Sequence, residues 1–320
     1  MRVLVVLLAL LLGSLTSGAQ ETDTLIRKLD SLSRKTDSAD KQINNTAPAA
    51  YNEETQLTFK TYFVLLGSDI KQAYTKPFHM KGRDWGSVGK FVLVAGAVVL
   101  ADKPLQRTAL RWRNQSQTLR NVSSYVTEFG GDYEGIVIGS LGKYGLLSKN
   151  RKMQTTTLLA TQSYITAVLV SGTVKILTGR ERPYLVNPAS LEANGRFRGP
   201  FETERGENGR VANRSFPSGH TTAAFAAATV YALEYRNKPW VPILAYSAAS
   251  LIGLSRISEN KHWATDVLVG AALGYVSGRL VVNNYHRFAQ LKAPATKGAV
   301  TFNCRYHFGR LMPGAVYHFR

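Results

Sequence analysis

The chain has 320 residues, of which 44% are hydrophobic, 10% aromatic and 19% charged, a profile that excludes a disordered polypeptide and a chain made wholly of membrane spans. Lys and Arg number 40 against 21 Asp and Glu, a formal net charge of +19, so an anionic partner is expected: nucleic acid, anionic lipid or a phosphorylated substrate. A single cysteine, Cys304, excludes an intrachain disulfide and a structural zinc site built from thiolates.

At the N-terminus, one Arg precedes an apolar stretch from Val3 to Leu12, and small residues follow at Ser17 and Ala19. That stretch is short for a span, which needs about 20 apolar residues. The pattern predicts a signal peptide over residues 1–19 and an exported protein. Residues 20–50 are rich in Thr, Ser, Asp, Lys and Asn, with Leu25, Leu29 and Leu32 at helical spacing. A polar linker and a short amphipathic helix both fit that segment. The main domain is expected over residues 51–292. Its apolar runs lie at 91–101, 135–147, 155–177, 221–233, 240–254 and 267–282, separated by polar breaks. Their length and their Ala, Leu and Gly content predict an all-α fold, a helical bundle of about six core helices. Pro242 in one run, and Gln162, Ser163, Tyr164, Thr173 and Lys175 in another, leave buried helices of a soluble domain and imperfect membrane spans both open. Residues 187–216 form a long polar connection carrying Arg196, Arg198, Arg205, Arg210 and Arg214 alongside Glu202, Glu204 and Glu207. Such a connection is either a substrate gate or a solvated excursion. The tail, residues 293–320, has apolar stretches on either side of Pro313-Gly314 and predicts a short β element.

Three segments carry chemistry. In the first, Lys175 precedes Arg182-Pro183 by two helical turns, with Gly179 between them. Alone it is a weak signal and reads as a basic helix C-terminus facing water. The second is Pro217-Ser218-Gly219-His220 followed by an Ala-rich run. Ser218 is placed to cap a helix whose free N–H groups form an anion site, Gly219 allows close backbone approach, and His220 falls in the first turn. An ordinary cap with an incidental His is the plain alternative. The third is Ser255-Arg256, then His262 and Asp266 four residues apart. There a carboxylate can fix one imidazole tautomer and leave the other ring nitrogen free; a pair that merely staples a helix start fits as well. Taken together, three cations, a helix N-terminus and two histidines equip a site for attack on phosphorus.

The pattern Lys-x6-Arg-Pro, Pro-Ser-Gly-His, Ser-Arg-x5-His-x3-Asp resembles the type 2 phosphatidic acid phosphatase (PAP2) superfamily. All its fixed positions are matched between residues 175 and 266. The resemblance implies the helical fold shared with vanadium haloperoxidases. It casts His262 as a nucleophile forming a phosphohistidine, Asp266 as its orienting partner and His220 as general acid and later base. Lys175, Arg182, Arg256, Ser218 and Gly219 become the phosphate cradle. It implies no metal and no cofactor, since protein cations neutralise the phosphate. The expected partners are a phosphorylated lipid, such as phosphatidic acid, a polyprenyl pyrophosphate or a lipid A phosphate, or a small phosphomonoester. Nucleic acid is not expected as a partner, because basic blocks with interleaved aromatics are missing. Positive charge and short apolar helices suit a membrane-associated enzyme whose site faces the periplasm. A vanadate-dependent haloperoxidase and a non-catalytic anion- or lipid-binding protein are the alternative readings.

Overall fold

The structure, a computed structural model, describes residues 24–31, 48–187, 192–203, 205, 209, 211–292, 299–307 and 310–318. The expected signal peptide lies outside these residues. The fold is all-α. In chain order the helices are α1 (24–31), α2 (Phe59–Thr75), α3 (Gly82–Gln115), α4 (Gln117–Phe129), α5 (Asp132–Leu147), α6 (Arg151–Thr178), α7 (Gly219–Glu234), α8 (Trp240–Ser258) and α9 (Ala264–Lys292). Each of the six apolar runs falls inside one helix. The other three helices, α1, α2 and α4, carry alternating polar residues that no apolar run marks. Two short strands, β1 (Val186–Asn187) and β2 (Glu192–Ala193), pair within the 187–216 connection, and β3 (Ala299–His307) pairs antiparallel with β4 (Arg310–His318) in the tail.

Local chemistry explains where the helices begin. Thr58, Ser116, Asn150 and Ser218 each occupy an N-cap position and accept a hydrogen bond from a backbone N–H in the first turn, satisfying a donor that the helix itself leaves open. At its C-terminal end α6 stops at Gly179, whose φ of 56° is left-handed. A Cβ there would also lie 2.2 Å from the Gly199 carbonyl oxygen. Glycine is thus required twice over, for its conformation and for the close approach of the connection. Gly179 ends the helix outright, so Lys175 and Arg182 do not share two continuous helical turns as their spacing suggests.

Helices α7 and α9 approach each other closely. Gly270, Gly274 and Gly278 form a row on α9, and a Cβ at these positions would come within 2.7, 2.3 and 2.7 Å of Ser218, Thr222 and Thr229 respectively. The row lets the two backbones nearly touch and fixes the start of α7 against the start of α9. The helix ends then converge. The C-terminal ends of α6 and α8 meet the N-terminal ends of α7 and α9 at one end of the bundle.

The distribution of polarity is unusual for a domain surrounded by water. Thr156, Gln162, Ser163, Thr166 and Thr229 are buried, while Leu93, Leu100, Leu147, Ile243, Leu244 and Leu254 are exposed. Such an exposed apolar belt marks a surface that meets a partner or a membrane. Helices α6, α8 and α9 are long and apolar enough to cross a bilayer.

Gly179→Ala should lower the melting temperature in detergent. Forcing a Cβ into the left-handed region costs about 1–2 kcal/mol, before the contact with Gly199 is counted. An unchanged melting temperature would show that the α6 terminus is not fixed in this way.

Candidate active site

The converging helix ends bring all eight sequence-predicted site residues to one place. Lys175 is in the last turn of α6 and its Nζ donates to the Arg214 carbonyl at 3.2 Å. A Cβ on Gly219 would sit 3.9 Å from that Nζ, so the ammonium lies against the start of α7. Arg182 follows the helix in extended chain, held by its backbone N–H to the Ala212 carbonyl at 3.1 Å. Arg256, in the last turn of α8, donates to Thr127 Oγ1 at 3.1 Å. The Nε atoms of Arg182 and Arg256 are buried and reach no acceptor among the described residues. Two buried cationic donors without acceptors are what an anion would satisfy. Ser218 caps α7 with its side chain and donates its backbone N–H to the Asp266 carbonyl at 2.9 Å. The N–H groups of the first turn of α7, with no intrahelical partner, add further donors beside Lys175.

Both histidines sit in the field of these cations. Burial, and then Arg256, Lys175 and Arg182, push the His220 pKa down to about 3. His262 is held well below its usual range by burial and by Lys175, Arg182 and Arg256. In the absence of an anion both rings are therefore neutral at pH 7. A bound phosphate would offset the cations and raise both values. Gly131 leaves the approach to His220 open: a Cβ there would stand 3.0 Å from His220 Nε2.

His262 and Asp266 are not paired as i,i+4 residues on a helix. Helix α9 starts at Ala264, so His262 precedes it, and its Nδ1 is 3.6 Å from Asp266 Oδ2, beyond hydrogen-bond range. Ser215 sits between them. Its Oγ donates to Asp266 Oδ2 and lies 3.3 Å from His262 Nδ1. Asp266 Oδ2 also accepts from the Trp263 backbone N–H at 2.9 Å. The carboxylate thus acts on His262 through a hydroxyl and through the loop backbone, with Nε2 left on the opposite edge of the ring. His262 is only 1% exposed, more enclosed than a nucleophile at an open cleft.

A second carboxylate completes the support. Arg180 donates to Asp266 Oδ1 and to Asp102 Oδ2, each at 2.6 Å, and all three side chains are buried. Asp102 also accepts from the Thr265 backbone N–H and hydroxyl at 2.9 and 2.8 Å, tying α3 to the start of α9. The guanidinium lies between the rings of Phe197 and Trp263, with centroids 5.0 and 5.4 Å away. Trp263 Nε1 donates to the Glu181 carbonyl, and Glu181 pairs with Arg198 at 2.6 Å. The described part of the 187–216 connection is therefore the wall behind Arg180. Arg210, counted toward a gate, and Glu204 and Glu207, counted toward a solvated excursion, lie outside the described residues.

Arg180, Asp102, Ser215, Thr127 and Gly131 are not marked by the motif reading. Asp102 carried one visible signal, a carboxylate directly after an apolar run, which needs a buried partner.

Residues 156–290 match the PAP2 superfamily. Over 74 residues, 23% of this chain and 16% of the other protein, the chain is 53% identical to a lipid A 1-phosphatase from Porphyromonas gingivalis. It is 26% identical over 162 residues to an undecaprenyl-diphosphatase from Sulfolobus acidocaldarius, covering 50% of this chain and 68% of that one. The chain thus spans about a sixth of the first relative's length and about two thirds of the second's. Among solved structures, it superimposes on a transmembrane PAP2-type phosphatidylglycerolphosphate phosphatase from Bacillus subtilis with a TM-score of 0.43 at 22% identity, covering 65% of this chain and 95% of that one.

Two outcomes test this geometry. Arg180→Gln leaves two buried carboxylates facing each other without their cation, and should cost about 3–5 kcal/mol of stability, read as a fall in melting temperature. Binding of inorganic phosphate at pH 7 should take up protons, because an anion raises imidazole pKa values that the empty site depresses. Calorimetry in two buffers of different ionisation enthalpy measures the uptake; heats that do not depend on the buffer would contradict it.

Proposed function

We propose that this chain, which carries a PAP2 superfamily domain at residues 156–290, is a membrane phosphatase that removes phosphate from phosphorylated lipids through a phosphohistidine. The observation that carries the reading is the convergence of two histidines, His262 buried and His220 half-buried, with Lys175, Arg182 and Arg256, whose charges act on both rings and hold them neutral. Phosphatases of lipid phosphates among the relatives support the substrate class. The exposed apolar belt and the three helices able to cross a bilayer support membrane residence. The N-terminal sequence supports export, with the site facing the periplasm.

In the proposed reaction, Lys175, Arg182, Arg256 and the first-turn N–H groups of α7, including that of Gly219, take the phosphate oxygens. Ser218 fixes that turn. Binding brings a proton to His220. His262 Nε2 attacks phosphorus, forming a P–N bond as the P–O bond to the lipid breaks, and His220 gives its proton to the departing alkoxide. Asp266 and Arg180 hold the ring, and the carboxylate stabilises the charge that His262 acquires. Water then enters beside His220, which takes its proton as the oxygen attacks phosphorus and the P–N bond breaks. The three side-chain cations do the charge neutralisation that a divalent metal supplies in other phosphatases.

His262→Gln should abolish phosphate release from phosphatidic acid in mixed micelles while the protein still melts cooperatively. Glutamine is the better test than alanine, because a ring this buried would leave a cavity. Asp266→Asn should lower kcat by orders of magnitude. Near wild-type release from folded His262→Gln would remove His262 from the nucleophile's role. EDTA should leave activity in place and vanadate should inhibit it; loss with EDTA that Mg²⁺ restores would contradict neutralisation by protein cations.

A further inference from the structure

An open cavity of about 700 Å³ begins beside the histidine end of the bundle and runs between α4, α5, α7 and α8. Its walls are apolar, with Phe129, Ile138, Ala224, Leu244 and Ile252 among them. Its lining residues Phe129 and Ile252 lie beside the turn that faces His220. A Cβ on Gly130 would strike Ile252 at 2.3 Å and lie 3.3 Å from the His220 Cβ, and Gly131 faces His220 Nε2.

One carboxyl breaks the apolar lining. Glu134 is 6% exposed, lines the cavity, and neither of its oxygens meets a hydrogen-bond partner among the described residues. Its position is fixed by the turn that faces His220, since its backbone N–H donates to the Gly131 carbonyl at 3.3 Å. Three other polar groups on the same walls are already engaged. Tyr231 pairs with Thr157 at 3.1 Å, the Tyr235 hydroxyl meets Met153 sulfur at 3.9 Å, and Lys238 lies over the Tyr235 ring. A buried carboxyl left bare in this way costs about 1–3 kcal/mol, which a structural role does not recover.

We propose that Glu134 is a specificity-determining residue that hydrogen-bonds a hydroxyl or amide N–H carried by the leaving alcohol where it enters this cavity. Burial pushes its pKa up to about 8, so at pH 7 it is mainly the neutral acid. The neutral acid both donates and accepts, and calls for an uncharged polar group rather than an ammonium. A leaving alcohol that is pure hydrocarbon beyond its oxygen leaves the carboxyl unsatisfied. Sites built to hydrogen-bond a substrate hydroxyl discriminate against analogues that lack it for this reason. The inference rests on the phosphatase reading and adds which lipids it prefers.

The test compares two monophosphates of matched chain length, lysophosphatidic acid, with a free hydroxyl next to the phosphate-bearing carbon, and hexadecyl phosphate, without one. Wild-type protein should favour the first in kcat/KM. Glu134→Leu should cut that preference about tenfold, the value of one hydrogen bond to a buried group, and Glu134→Gln should retain most of it. Leucine suits the apolar walls, so the variant should melt at or above the wild-type temperature. A preference unchanged in Glu134→Leu, with both substrates turned over, overturns the role of Glu134. Wild-type protein that turns over neither substrate overturns the phosphatase reading, and this inference falls with it.

Discussion

The Arg180 guanidinium, clamped between Asp102 and Asp266, is the contact on which the site depends. It joins the end of α6, the middle of α3 and the first turn of α9, three elements far apart in sequence. All three side chains are buried, so the charges are not screened by water and removing one leaves the others uncompensated. From this clamp the arrangement follows outward. Asp266 is held rigid, Ser215 and the Trp263 backbone are fixed to it, and they set the His262 ring. The connection closes over the guanidinium with Phe197 and locks Trp263 behind it.

Charge balance gives the site its direction. The clamp consumes one cation and two carboxylates, whereas Lys175, Arg182 and Arg256 meet few acceptors. Positive charge is thus concentrated on the side where an anion enters, and the negative charge stays behind His262. In the proposed reaction a phosphate would complete the balance and supply the condition under which His220 can hold a proton. The cost of keeping cations close together is offset only when the anion is present, so binding and protonation are linked. The polar interior and apolar exterior of the surrounding helices fit the same logic. Threonines and glutamines such as Thr156, Gln162 and Thr229 lie inside, and the outside is left for hydrocarbon.

The helices that form the bundle were legible in sequence because their apolar runs are long and cleanly bounded. Helices α2 and α4 were not, since their faces mix polar and apolar residues and no run marks them. The motif residues were legible as a set, because their order and spacing leave little room for chance. Their mutual geometry was not. The left-handed Gly179 separates Lys175 from Arg182 by a helix end, and the late start of α9 takes His262 off the helix that its spacing to Asp266 suggests. Ser215 and Asp102 act across 51 and 163 residues of chain, a distance at which no local pattern signals a partner. Arg180 stood inside the first motif segment with nothing in its neighbours to say that it is buried.

The central claim is that His262 carries the phosphate. It is tested most directly by rapid quenching of a reaction with phosphatidic acid labelled on its phosphate with ³²P, followed by peptide mapping. The account predicts a protein-bound label that is lost in acid, survives in base, and maps to the peptide containing His262, both in the wild-type protein and in His220→Asn, where the label should form and decay more slowly because one ring serves as acid and then as base. Label on another residue, or turnover with no labelled protein at any quench time in either form, would contradict it.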